Sequence, residues 1–297
     1  MTPSALSKRG LLVLLLLPFF SPLLHAQAPS EPCLLWEISG NGLRQPSYLF
    51  GTIHLIPKKD FVVDEPTKKA FSSCKVLALE ADLNMDKETK EKVAAATLLP
   101  DNKTIVSFLS AADFSFVDAY VKDSLEVSSL KWMVYKRIRP FFLSSLLMKE
   151  ISGKTESYEE TFMDMAKKKD MPLVGLESVL YQISIIDSIS IEEQTKIMLE
   201  SFRSGKSLKK EWQELTNIYK TKDLAAMQKL MVDEGNGIPN FEERFLNRRN
   251  RNWIPVMEKL MMENSTFIAV GAAHLVGEKG VISLLRQKGY TLKPLQP

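Results

Sequence analysis

Two of the three histidines in this chain end the same short motif, Gly-x-x-His. The motifs occupy residues 51–54 (GTIH) and 271–274 (GAAH), and each follows an apolar run typical of a buried strand. Glycine occupies only 13 of 297 positions, so chance rarely places it three residues before both His54 and His274. We interpret the repeat as shared geometry, in which two imidazoles at strand ends converge on one metal ion while the glycines allow the backbone to bend or pack closely. Two separate, buried and hydrogen-bonded histidines are the alternative.

Two imidazoles do not complete a catalytic metal site, which usually has a third protein ligand and open positions for water. Glu80 ends the apolar run of residues 77–80 (LALE), where an unpaired buried charge would be costly. We predict that Glu80 is a metal ligand or a catalytic base, with a salt-bridged structural acid as the alternative. Glu177 ends a similar run, residues 173–177 (LVGLE). It is either a second catalytic acid or the N-cap of the helix that follows.

A basic, amide-rich segment, residues 248–253 (RRNRNW), lies in a predicted helix just before the last buried strand. Arginine and asparagine could bind a substrate carboxylate or a developing oxyanion, which makes Arg249 and Asn250 candidates. A solvated helix face is the alternative. An amphipathic helix would bury Trp253 and turn Arg249 outward, so we expect the substitution Arg249→Ala to leave stability unchanged.

Predicted strands lie at both ends of the chain, and predicted helices lie between them. Helical periodicity dominates residues 87–169 and 178–234. The runs that indicate strands are residues 34–39, 47–53, 75–81, 172–177 and 266–270. We therefore predict an α/β (α+β) fold, with a mixed central sheet from N- and C-terminal strands and a large helical insertion or cap.

Residues 1–26 have the pattern of a cleavable signal peptide. Lys8 and Arg9 precede an apolar run, residues 10–24, and a small-residue stretch that allows cleavage after Ala26 or Ala28. The run is shorter than the roughly 20 residues of a membrane-spanning helix, so a retained anchor is the less favoured alternative. We predict export to the periplasm or the extracellular space, no stable membrane span after cleavage, and one domain over residues 27–297.

The distribution of charge argues against a nucleic-acid partner. The formal net charge of +3 includes Lys8 and Arg9, and the remaining basic residues are interleaved with acidic ones. The chain therefore lacks the basic stretch that binds nucleic acid.

Cys33 and Cys74 lie near the starts of two predicted strands that could be neighbours. In an exported protein this placement favours a disulfide between them, with two buried free thiols as the alternative.

Several segments together resemble the TraB/PrgY/GumN family, which is related to the Tiki proteases. They extend from Leu34 nearly to the C-terminus: LLWEISG, YLFGTIHL, VLALEAD, VGLESVLYQ, RNRNW and FIAVGAAHLVGEKGVISLLRQKGY. The chain departs from the family pattern at Ser178, where Thr is frequent, and at Leu180, where a second acid is frequent. By resemblance, the active site comprises His54, His274, Glu80 and Arg249, with Glu177 and Asn250 as further candidates.

The resemblance implies two kinds of function. Tiki proteases are metal-dependent, with manganese or cobalt supporting activity, whereas PrgY and TraB relatives act on or sequester peptide pheromones. We therefore expect a metal-dependent hydrolase of the peptidase class, which binds manganese, cobalt or zinc and acts on a peptide or protein substrate. The alternative is a non-catalytic protein that captures a peptide or another small ligand. An iron site with two histidines and one carboxylate is disfavoured, because the chain lacks a close His-x-Asp or His-x-Glu pair.

Overall fold

The computed structural model describes residues 32–83, 85–204 and 207–296. Its centre is a six-stranded mixed sheet built from both ends of the chain, as predicted. The predicted signal peptide, residues 1–26, lies outside the described residues. The strands of this sheet and of a small two-stranded one are β1 (Leu35–Gly40), β2 (Ser47–Thr52), β3 (Ile56–Pro57), β4 (Val76–Ala81), β5 (Thr155–Glu156), β6 (Leu173–Glu177), β7 (Thr266–Gly271) and β8 (Tyr290–Pro294).

The large sheet has the strand order β6-β4-β7-β2-β1-β8. Its first four strands are mutually parallel, so their carboxyl ends lie at one edge of the sheet. In this register Thr52 is opposite Gly271, and Ala81 is opposite Glu177. β1 and β8 complete the sheet as antiparallel neighbours. The remaining two strands, β3 and β5, pair separately.

Helices surround the sheet and form the predicted insertion. None of those in the described part of the chain is long and apolar enough to cross a membrane. They are α1 (Glu65–Ser73), α2 (Lys87–Thr97), α3 (Ala111–Ala119), α4 (Ser129–Tyr135), α5 (Pro140–Ile151), α6 (Tyr158–Lys168), α7 (Val179–Asp187), α8 (Ile191–Arg203), α9 (Leu208–Thr221), α10 (Leu224–Glu234), α11 (Arg248–Glu263) and α12 (Val281–Gln287).

The molecule has two hydrophobic cores. In the first, α1 and α6 pack on the sheet, where the rings of Phe71 and Phe162 contact that of Phe267. The second core lies within the helical insertion and includes the fully buried Trp132 and Leu143. The insertion thus has an interior of its own.

The predicted disulfide between Cys33 and Cys74 is wrong, because both residues are buried free thiols. Their strands, β1 and β4, are separated by β2 and β7, which at about 4.8 Å per strand places them about 14 Å apart. A disulfide requires Cα atoms within about 7 Å. β1 also runs antiparallel to β4, so the two strand starts lie at opposite edges. The sulfur of Cys33 instead donates a hydrogen bond to the carbonyl oxygen of Leu35, at 2.9 Å.

Candidate active site

The carboxyl ends of the four parallel strands carry the candidate residues. Glu80 is the penultimate residue of β4, and Glu177 is the last residue of β6. His54 follows β2, and His274 follows β7. In open α/β sheets ligands bind outside this edge. The first turn of α11 brings the other two candidates to the same place: Arg249 and Asn250.

Arg249 joins the two acids. Its Nε and Nη2 donate to Oε1 of Glu177 at 2.8 and 2.6 Å, and Nη2 also donates to Oε2 of Glu80. Its side chain is only 10% exposed, so the expectation that Arg249 faces solvent is wrong. The polar face of α11 turns toward the two strand-end carboxylates. Leaving these buried carboxylates without a cation would cost more free energy than removing the arginine from water.

Trp253, one turn further along α11, supports this arrangement. Its indole Nε1 donates to Oε2 of Glu177 at 2.9 Å, and the guanidinium of Arg249 lies 4.8 Å from its ring centroid. Both oxygens of Glu177 therefore accept hydrogen bonds. The N-cap of α7 is Ser178, not Glu177. Glu177 thus serves as an anchor for Arg249 rather than as a helix cap.

His274 is buried, and its two ring nitrogens have different partners. Nη1 of Arg249 lies 3.2 Å from Nε2, and the amide oxygen of Asn250 lies 2.6 Å from Nδ1. A guanidinium can only donate, so Nε2 carries the lone pair and Nδ1 carries the hydrogen. The amide nitrogen of Asn250 donates to the carbonyl oxygens of His274 and Lys279, which turns its oxygen toward the ring. Asn250 therefore sets the tautomer of His274.

Glu80 links β7, the strand that precedes His274, to the arginine. Its Oε1 accepts from the backbone N–H of Gly271 at 2.8 Å and lies 3.9 Å from Nε2 of His274. A β-carbon on residue 271 would lie 3.1 Å from Oε1, and one on residue 51 would lie 3.2 Å from Ala272. Gly51 and Gly271 thus permit close packing between the motifs.

His54 occupies a different environment from His274. Its side chain is 77% exposed, and Nδ1 lies 3.2 Å from Oε1 of Glu159, in the first turn of α6. The same oxygen accepts from the hydroxyl of Thr52 at 2.6 Å. Among the hydrogen bonds of the described residues, none joins His54 to Glu80 or His274. The structure therefore brings five of the six candidates into one bonded cluster and leaves His54 beside it.

No pattern in the sequence marks Glu159 as a site residue. It follows Ser157, which caps α6, and acidic residues are common in the first turn of any helix. Only contact with the first Gly-x-x-His motif distinguishes Glu159 from its neighbour Glu160, and that contact spans 105 positions of the chain.

The pKa values of the cluster are strongly perturbed. Burial raises the pKa of Glu80, but Arg249, the two histidines and the Gly271 N–H outweigh this effect and hold it well below its usual range. Burial lowers the pKa of His274 to about 3, with Arg249 and His54 acting in the same direction. The hydrogen bond to Glu159 raises the pKa of His54 to about 9. The cluster thus pairs an ionised carboxylate with a neutral imidazole, as functional sites often do.

The donor types fit a divalent ion, although no three His, Cys, Asp or Glu side chains within the described ranges surround one point. Nε2 of His274 carries a lone pair, and Asn250 supports its ring as outer partners of metal ligands do. Oε1 of Glu80 lies on the same side, 3.9 Å away. Arg249 contacts both groups, and the exposed His54 would supply the third donor.

Comparison with known proteins gives one family match and several distant relatives. The model of the TraB/PrgY/gumN family matches residues 34–294. The Metalloprotease TIKI homolog of Amphimedon queenslandica is 24% identical over an alignment of 322 residues, covering 88% of this chain and 61% of that protein. Metalloprotease TIKI2 of Danio rerio is 21% identical, covering 89% and 61%. Metalloprotease TIKI1 of Homo sapiens is 23% identical, covering 87% and 61%.

The chain therefore spans about three fifths of the length of these relatives. No solved structure matches it. The family match covers every strand of the sheet, and it includes both Gly-x-x-His motifs and all six candidate residues. The chain belongs to the TraB/PrgY/gumN family.

Proposed function

We propose that this protein is an exported, metal-dependent hydrolase that cleaves peptides or proteins. The observation that carries the proposal is the buried cluster of Glu80, Glu177, Arg249 and His274 at the carboxyl edge of the sheet. Replacing buried ion pairs by apolar residues is often neutral or stabilising, so such a cluster is poorly explained by stability. The similarity to proteins named as metalloproteases gives the reaction class.

Three residues would hold the ion: His274 through Nε2, Glu80 through its carboxylate, and His54 through the ring nitrogen that does not face Glu159. When bound, a divalent ion such as manganese, cobalt or zinc would supply positive charge for polarising a scissile carbonyl and activating water. The neutral state of His274 suits this task, because an imidazole must be unprotonated to donate a lone pair. His54, whose pKa the hydrogen bond to Glu159 raises to about 9, would release a proton on binding the ion.

Arg249 and its partners would act on the substrate. The five N–H groups of its guanidinium all donate within the protein, to Glu177, Glu80, His274 and the carbonyl oxygen of Phe245. Arg249 would therefore act through its fixed positive charge, which could attract a substrate carboxylate or a developing oxyanion. Because both oxygens of Glu177 already accept hydrogen bonds, we assign Glu177 the role of anchor and not that of proton carrier. Both oxygens of Glu80 also accept hydrogen bonds, from Gly271 and Arg249, so we assign Glu80 to the ion rather than to proton transfer. Asn250 orients His274.

Export and domain extent complete the proposal. A leader over residues 1–26 would direct the chain to the periplasm or outside the cell, where residues 27–297 would act as one domain. The two free thiols do not argue against export, since their positions in the sheet, not the compartment, prevent a disulfide.

A second candidate function, ligand capture without catalysis, is favoured by one observation. A cavity of about 410 Å³ lies beside the first motif and is lined largely by apolar side chains, including Leu35, Phe50 and Val62. Tyr219 forms part of its wall and donates a hydrogen bond to the carbonyl oxygen of Gly51 at 2.8 Å. A cavity of this size is suited to a small ligand or one large side chain.

Metal content and hydrolysis together test the proposal. Purified wild type, His54→Ala and His274→Ala are analysed for bound metal and assayed on a broad peptide library with added manganese, cobalt or zinc. Each substitution should lower metal affinity severely, and the double variant should add little, because ligands act as a unit. Wild type that stays metal-free at saturating ion would contradict the proposal. Stoichiometric metal without turnover would favour capture.

A further inference from the structure

The two Gly-x-x-His motifs are held by different parts of the molecule. The second is held by the sheet and α11, through Glu80 and Asn250. The helical insertion contacts the first motif at three residues, Gly51, Thr52 and His54. Tyr219 of α9 donates to the carbonyl oxygen of Gly51, and Glu159 of α6 receives the Thr52 hydroxyl and contacts His54.

Glu159 is fixed more firmly than an ordinary residue at the start of a helix. Its side chain is 15% exposed. Oε1 has two partners, Thr52 and His54, and Oε2 accepts from the hydroxyl of Ser157 at 2.8 Å. The N-terminus of α6 also favours a negative charge at this position. The carboxylate is therefore held in place whether or not His54 is present.

The consequence for His54 follows from hydrogen-bond chemistry. An ionised carboxylate can only accept, so Nδ1 of His54 must carry the hydrogen that lies between the two groups. Nε2 is then directed away from Glu159. With 77% of its side chain exposed, His54 has no other hydrogen-bond partner among the residues that the structure describes. Without Glu159 the ring would be free to rotate.

We infer that Glu159 is a positioning residue, which orients the imidazole of His54 so that Nε2 faces the ion or the substrate. What Nε2 then does rests on the proposed function, whereas the orientation itself does not. Glu159 does for His54 what Asn250 does for His274, because each accepts from Nδ1 and so leaves the lone pair of the neutral ring on Nε2, which in His274 faces Arg249. The insertion thus determines the geometry of half the site, in addition to covering it.

The first test examines the orientation itself. Histidines are labelled with ¹⁵N, and the ring signals of His54 are assigned by comparison with His54→Gln. Glu159→Gln should shift both ring signals of His54 at a fixed pH, because an amide can donate to Nδ1 where the carboxylate could only accept. Glu160→Gln is the matched control, since this exposed neighbour makes the same charge change on the same turn of α6. It should leave the signals of His54 unchanged.

The second test examines the consequence for metal binding. Free Mn²⁺ is measured by electron paramagnetic resonance during titration of each variant. Loss of an outer partner of a ligand typically lowers metal affinity about 10- to 100-fold, so Glu159→Gln should weaken Mn²⁺ binding by that factor and Glu160→Gln should not. In a His54→Ala background, Glu159→Gln should cause no further loss, because the residue acts through His54.

Unchanged ring signals of His54 in a folded Glu159→Gln variant would overturn the inference, and so would a further loss of affinity in the His54→Ala background. If Glu159→Gln does not fold, Glu159→Asp takes its place, because it keeps the charge at the helix N-terminus and withdraws it from the ring. A shift of the His54 ring signals is expected here too, because the shorter side chain withdraws the acceptor from Nδ1. Wild type that binds no Mn²⁺ would contradict the proposed function alone, since the ring signals still report whether Glu159 orients His54.

Discussion

Oε1 of Glu80 accepts a hydrogen bond from the backbone N–H of Gly271, with an N···O distance of 2.8 Å. The backbone of Gly271 has φ of −51°, which any residue can adopt. Glycine is needed there for another reason, because a β-carbon would lie 3.1 Å from the same carboxylate oxygen. The glycine of the second motif is thus a steric requirement of the acid on the neighbouring strand.

The substitution Gly271→Ala should displace Glu80 and destabilise the protein by about 1–3 kcal/mol, the usual cost of overpacking. Gly237→Ala is the control, because its β-carbon would make only an ordinary contact with Ile197, at 3.4 Å. Urea denaturation measures both. In a Glu80→Ala background the cost of Gly271→Ala should shrink, since its steric cause has gone. An equal cost in both backgrounds would contradict this explanation.

Removal of Arg249 should be strongly destabilising, although the sequence alone predicts that Arg249→Ala leaves stability unchanged. Arg249→Leu leaves Glu80 and Glu177 buried without their cation, a change that typically costs about 3–5 kcal/mol. Arg251→Leu, two residues away, breaks an exposed pair with Glu243 and should cost no more than about 1 kcal/mol. Similar losses of unfolding free energy in the two variants would show that the buried contacts contribute little.

Stability should fall in acid partly because of His274. Burial lowers its pKa to about 3 in the folded protein, against about 6.5 for the unfolded chain. Between these values the unfolded state binds the extra proton, so unfolding free energy decreases as pH falls from 6.5 toward 3. In chelator-treated protein, the difference in unfolding free energy between His274→Asn and wild type should become smaller as pH falls over this range. A difference independent of pH would contradict the low pKa.

Both cysteines should titrate as free thiols. Denatured, unreduced protein should give two reactive thiols per chain, whereas the folded protein should react slowly. Burial raises the pKa of Cys74 to about 12 and also raises that of Cys33, so little thiolate is present at neutral pH. Thiol titration with and without denaturant is the measurement. Absence of reactive thiols in the denatured sample would indicate the disulfide instead.

Much of the fold was predictable because its strands are local patterns. The apolar runs that end at Glu80 and Glu177 gave those strands to within one or two residues, and the two Gly-x-x-His motifs indicated which strand ends carry polar groups. β8 was missed, although its alternation of buried Tyr290 and Leu292 with exposed residues is the pattern of a half-buried strand.

The environment of each site residue was not predictable in the same way. Periodicity indicates that Arg249 lies on the polar face of α11, but only the sheet order shows that this face meets two carboxylates. Likewise, nothing near His54 in the sequence points to Glu159, which is brought to it by the packing of the helical insertion. The disulfide prediction was wrong for the same reason, since the order of strands in the sheet decides which strand starts are close.

The position of β7 determines when, during synthesis of the chain, the sheet can be completed. β7 is nearly the last strand to be synthesised, yet it lies between β2 and β4 and pairs with both. Until it emerges, the hairpin of β1 and β2 and the pair of β4 and β6 have no sheet contact with each other. Such distant pairings also fold slowly. The contact between Glu80 of β4 and Gly271 of β7 therefore cannot form until nearly the whole chain has been synthesised.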